Sequence, residues 1–134
     1  INSIIRYEIF KEFAKSNQKG IIFTGCFDFG NDFEKEKEET DKWMDLFEET
    51  YTIELETTLE ERLRRNKTEN RLKDKESKRD LEWSEKDLLR SLERHRLNSM
   101  PGEGEKIFEN FIKIDNTNIS AKEVAKMIKE KFDL

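Results

Sequence analysis

The chain has one cysteine, one histidine and no long apolar run, and each shortage excludes a class of protein. Cys26 on its own cannot make an internal disulfide, so a disulfide scaffold is excluded, and the expected role is a small buried thiol at a strand end. His95 lies among Arg90, Arg94 and Arg96 with no second His or Cys nearby to share a metal, so no metal centre is expected. No apolar stretch approaches the roughly 20 residues needed to span a bilayer, and no signal peptide opens the chain. The expectation is a soluble, cytoplasmic protein without a membrane partner. Apolar residues make up 34% and charged residues 43%; globular chains sit nearer about 45–50% and about 25%. So little apolar content raises disorder as an alternative, but ten Phe, two Trp and two Tyr in spaced clusters argue for a packed core. A length of 134 residues fits one domain. The chain starts at Ile1 rather than Met, which suggests a fragment or a processed product.

Charge is unevenly spread. From Arg62 to Arg79 nine basic residues (Arg62, Arg64, Arg65, Lys67, Arg71, Lys73, Lys75, Lys78 and Arg79) face three acidic ones (Glu69, Asp74 and Glu76), a local balance of +6 in a chain of net charge −5. Minority-sign charge gathered in one segment is what an anion-binding element needs, and the arginine fork suits phosphate. A solvated charged face is the plainer reading of the same run.

Periodicity gives the element order. Ile1, Ile5, Ile9 and Phe13, with Ile4, Phe10 and Ala14 beside them, predict a helix over 1–15. Residues 21–27, apolar and without alternation, read as a strand covered on both faces, with Asp28 just past its end. Asp32 is a candidate N-cap for a helix reaching about Glu49. Tyr51–Leu55 is a second strand, and Thr57 or Thr58 caps the helix carrying Leu59, Leu63 and the arginines. Residues 66–80, apolar only at Leu72, read as a mobile lid. A helix then starts at Ser84 with Leu88, Leu92 and Leu81 or Trp83 inward, to about Leu97, residues 98–105 form a loop, and Phe111–Ile114 is a third strand. Ser120 and Glu123 form a capping box for a last helix with Val124, Met127 or Ile128, and Lys131 or Phe132 inward. Strands alternating with helices predict an α/β fold with a parallel sheet covered on both sides.

The strand 51–55, the helix ending RLRRN, the arginine-rich lid and the closing IKIDNTNIS segment resemble the second half of P-loop small-molecule kinases, such as shikimate, gluconate and adenylate kinases. The run from 66 to 120 is similar to a bacterial family described as shikimate-kinase-like or AAA-type ATPases. The resemblance implies a three-layer kinase-like fold and ATP-dependent phosphoryl transfer to a small molecule, with ATP and Mg2+ as cofactors. It implies that Arg71 and Arg79 stabilise the transferred phosphoryl group, with Lys78 as a point charge. Arg65 or Arg62 would stack on adenine, and Asp115, Asn116 and Thr117 would line the base. Asp28 would touch substrate or a magnesium-bound water; the plainer reading of Asp28 is a turn residue.

The phosphate-cradling loop G-x-x-x-x-G-K-[ST] is absent: none of Gly20, Gly25, Gly30, Gly102 and Gly104 is followed by Lys-Ser or Lys-Thr. The expectation is therefore a partial kinase-like domain over 1–134 that lacks its central N-terminal strand, is inactive alone, and is completed by an N-terminal segment or a second chain. Two alternatives have discriminating features. A nucleic-acid module would use the basic 62–79 segment, but the overall acidity and the lack of interleaved aromatics weigh against it. A non-enzymatic helical interaction protein would show no nucleotide response.

Overall fold

The computed structural model describes residues 2–76 and 80–134. Among these, the fold is mixed α/β, with seven helices and one two-stranded parallel sheet. The order is α1 (Asn2–Ala14), α2 (Phe33–Met44), β1 (Thr52–Glu56), α3 (Leu59–Asn66), α4 (Glu69–Asp74), α5 (Leu81–Arg94), α6 (Glu103–Ile107), β2 (Phe111–Asp115) and α7 (Ala121–Phe132).

β1 pairs with β2 in register from Thr52↔Phe111 to Glu56↔Asp115. A parallel pair needs a long crossover, and α3 to α6 supply it. One face of the sheet inverts the usual rule. Glu54 is buried while Leu55 is exposed, because Glu54 accepts hydrogen bonds from the Ser99 N–H (2.8 Å), the Ser99 hydroxyl (2.5 Å) and the Asn98 amide (2.9 Å). Burial pushes the Glu54 carboxyl up, but these hydrogen bonds and the Lys113 ammonium outweigh it and leave it below the ordinary carboxylate range.

Aromatic rings join α1 to α2 and the segments beside it. Phe10 is 4% exposed and meets Phe23, Trp43 and Phe47 at centroid distances of 5.3, 5.2 and 6.3 Å. This overturns part of the expected inward stripe of α1: Ile4, Ile5 and Ile9 are exposed, while Phe10 and Phe13 of the same helix meet the rings of α2 and of the segment after it. A second cluster gathers Phe29, Phe108 and Phe111, with Phe27, Met44 and Ile107 against it. Gly104 of α6 lies under the Phe111 ring with no room for a Cβ, and Gly102 turns into α6 at φ 79°, a backbone conformation glycine adopts without strain.

Several expectations need correction. Residues 21–27 form no strand: they carry no regular secondary structure, and Ile22 is 95% exposed. Their apolar content serves the two aromatic clusters instead, through Phe23 and Phe27. Cys26 is accordingly exposed, not a buried thiol at a strand end. Of the expected 66–80 lid, residues 77–79 lie outside the described residues, and the described part is not a structureless loop. Thr68 accepts from the Arg71 N–H to cap α4, and buried Asn66 donates from its amide to Ser84 Oγ at 2.7 Å. Ser84 therefore sits inside α5, not at its start; Asp80 is the N-cap. The 98–105 stretch contains the start of α6. Other readings hold. Thr58 caps α3, the Ser120–Glu123 capping box opens α7, and Val124, Ile128 and Phe132 are the less exposed positions of α7.

Candidate functional site

The carboxyl ends of β1 and β2 meet at a polar cluster. Asp115 ends β2, and its carboxylate accepts from the Thr117 N–H (2.9 Å) and hydroxyl (2.6 Å). Those two hydrogen bonds hold the Asp115 carboxyl below its ordinary range. The Thr117 hydroxyl lies 2.8 Å from that of Thr57, just past β1. Arg65, on the last turn of α3, reaches across. Its Nη1 donates to Asn116 Oδ1 at 3.0 Å, and its Nη2 to the carbonyls of Asn116 (2.7 Å) and Thr117 (3.4 Å). Its Nε binds Glu61 at 2.7 Å, and Arg64 and Arg65 together hold the Glu61 carboxyl at about 2. Four sequence-predicted site residues, Arg65, Asp115, Asn116 and Thr117, thus come together although 50 residues separate the arginine from the loop.

Arg62, one turn earlier on α3, points elsewhere. Its Nη2 donates to Asn98 Oδ1 at 2.5 Å. Asn98 is itself anchored on β1, donating to Glu54 Oε1 (2.9 Å) and the Leu55 carbonyl (3.2 Å). Arg62, Asn98 and His95 line a cleft of about 370 Å³ whose apolar wall includes Leu59, Leu92 and Leu97.

Asp28 stands behind this cleft. It is 4% exposed, and both oxygens are engaged. Oδ1 accepts from the Gly30 N–H (2.7 Å) and the Arg96 N–H (3.0 Å). Oδ2 accepts from the Asp32 N–H (3.3 Å) and lies 2.9 Å from His95 Nδ1. Burial raises the Asp28 carboxyl, but the hydrogen bonds from His95, Gly30, Asp32 and Arg96 outweigh it and hold it at about 2. Asp28 is therefore a carboxylate at neutral pH and can only accept. His95 Nδ1 must then carry the proton between them; in a neutral imidazole that leaves the lone pair on Nε2. Asp28, Asp32 and His95 offer ligand atoms that all lie within 4.8 Å of one another, the one such group of acidic and imidazole side chains among the described residues.

Arg71 lies on the exposed α4. Lys78 and Arg79 lie outside the described residues. His95 is not legible as a site residue in the sequence, where no second His or Cys lies near it; its partners are carboxylates, one of them 67 positions away. Asn98, which orients Arg62, carried no sequence signal at all. Among the described residues no helix is long and apolar enough to cross a membrane.

Comparison with known proteins finds no matching family model, no matching curated protein and no matching solved structure.

Proposed function

We propose that the chain is a nucleotide-binding, kinase-like protein of P-loop type whose base-side pocket is built on Arg65, Asp115, Asn116 and Thr117. One observation carries this reading: the Arg65 guanidinium spans from α3 to the loop after β2, at the carboxyl ends of both parallel strands. Ligands of open parallel sheets collect at that end. The edge of the guanidinium is spent on Glu61, Asn116 and Thr117, so its remaining asset is its flat face. A fixed planar cation suits stacking on a base and not bidentate capture of phosphate. Asp115 keeps Thr117 in place.

In this reading Arg71 belongs to the lid segment that approaches the phosphates; Lys78 and Arg79, which the resemblance gives the same role, lie outside the described residues, and Arg62 is left for a different ligand. ATP would supply the phosphoryl group for a small-molecule acceptor. The 134 residues contain no glycine loop with Lys-Ser or Lys-Thr, so they provide the base side and the lid but no phosphate cradle. No magnesium contact is assigned to Asp28, whose oxygens are both bound within the protein. The nucleic-acid alternative loses ground because part of the basic segment is already paired: Arg64 and Arg65 with Glu61, and Lys67 with Glu85.

Thermal unfolding with AMP, ATP and tripolyphosphate tests the proposal. Ligand at about 100 times Kd adds about 2.7 kcal/mol to apparent stability. AMP and ATP should both raise Tm, tripolyphosphate should raise it less than ATP, and Arg65→Ala should weaken AMP binding about tenfold or more, in line with about 1–3 kcal/mol for base stacking. An AMP response unchanged in Arg65→Ala, or none in the native sequence, refutes the base pocket.

A further inference from the structure

We propose that the cleft between α3 and α5 binds a small oxyanion bearing a hydroxyl, with Arg62 taking the negative charge and His95 Nε2 accepting the hydroxyl proton in a hydrogen bond. The argument stands on the cleft and is independent of the nucleotide reading.

Arg62 is a half-buried cation with no carboxylate partner among the described residues; the Asn98 amide oxygen is its one hydrogen-bond acceptor. The neighbouring arginines differ. Arg64 and Arg65 are paired with Glu61, and Arg96 is forked onto Glu103 and the Phe29 carbonyl. A partly desolvated guanidinium left without a counter-charge favours an anion that reaches it. Asn98 holds it there by tying its Nη2 to Glu54 and to the β1 backbone.

His95 supplies the second contact. Its Nδ1 is committed to Asp28, and Nε2, across the ring, has no partner among the described residues. The Asp32 carboxylate is the other charge near the ring, 3.8 Å from Nδ1. An imidazole with its Nδ1 proton locked on a buried carboxylate presents Nε2 as an acceptor, the arrangement in which a buried Asp orients a histidine. The pair of contacts therefore selects for one anionic group and one hydroxyl. Hydrogen phosphate and hydroxycarboxylates share that chemistry, while sulfate has the charge without the hydroxyl. The cleft volume of about 370 Å³ falls in the range for small-molecule sites.

His95 is the one histidine in the chain, so its two ring nitrogens can be followed without ambiguity by two-dimensional 15N–1H NMR of the imidazole. The measurement uses the whole chain, treated with EDTA, at a pH where the ring signals mark it as neutral. The free protein should show a protonated Nδ1 and a bare Nε2. Inorganic phosphate and lactate should each shift Nε2 saturably, sulfate should shift it at least fivefold less, and Arg62→Gln should abolish the phosphate response. If Arg62→Gln does not fold, Arg62→Lys should fold and bind phosphate several-fold more weakly. Phosphate without lactate assigns the site to phosphate compounds, and lactate without phosphate to hydroxy acids; both outcomes support the site. A bare Nδ1 in the free protein, no saturable shift with either probe, or equal responses to sulfate and phosphate overturns it. Arg65→Ala should leave the phosphate response intact, so failure here and failure of the base pocket are distinguishable.

Discussion

Asp28→Asn isolates the contribution of one buried carboxylate. The side chain keeps its shape, and the amide oxygen can still accept from the Gly30 and Arg96 N–H groups. The amide nitrogen, however, would replace the oxygen that faces the Asp32 N–H and His95 Nδ1. Three donors then converge, and either His95 releases its Nδ1 proton and changes tautomer or the loop from 28 to 32 separates from the end of α5. The native carboxyl is depressed from 3.8 to about 2, which corresponds to about 2 kcal/mol of linkage stabilisation. Loss of charged hydrogen bonds at about 1.5–3 kcal/mol each sets the upper bound, so a loss of about 2–3 kcal/mol is expected, or roughly 10 °C in Tm for a chain of this length. The pH dependence follows from the sign. A folded value below the unfolded one stabilises above about pH 4, and that stabilisation is lost as pH falls through about 2. Urea unfolding of both proteins from pH 7 to pH 2 should show a gap that is constant at the upper end and closes between about pH 4 and 2. A variant within about 0.5 kcal/mol of the native sequence at pH 7, or a gap that persists at pH 2, refutes the assignment of Asp28 as the carboxylate that ties α2 to α5.

Three further outcomes follow from packing and capping. Gly104→Ala drives a methyl into the Phe111 ring and should cost about 1–3 kcal/mol by overpacking, measured by chemical unfolding; a neutral effect would mean the aromatic cluster is loose. Ser84→Ala leaves the buried Asn66 amide without its acceptor at a site 1% exposed; about 1–3 kcal/mol should be lost, and Asn66→Leu in the same background should recover part of it. Ser120→Ala removes half of the capping box and should lower stability by about 1 kcal/mol, with amide exchange accelerating first at the start of α7.

What the sequence determined is what short-range physics controls. The caps at Thr58 and Ser120 are read from side chains that satisfy N–H groups three residues on. The two strands at 52–56 and 111–115 and their parallel pairing came from β-rich segments separated by helices. The resemblance assigned Arg65 or Arg62 and residues 115–117 to one base site; the structure joins Arg65 to Asn116 and Thr117 by hydrogen bonds. Tertiary structure decided the rest. Residues 21–27 have the composition of a buried strand, but composition cannot supply a neighbouring strand, and without one their rings were drawn into aromatic clusters instead. The face that α1 buries is decided by where Phe23, Trp43 and Phe47 dock, not by the spacing of its isoleucines. Glu54 is buried because Ser99 and Asn98 return to it after the crossover, and Asp28 orients His95 across 67 residues. Hydrogen bonds between distant segments leave no periodic trace in a sequence, so a polar residue's burial and its partner become legible only when the chain has folded back on itself.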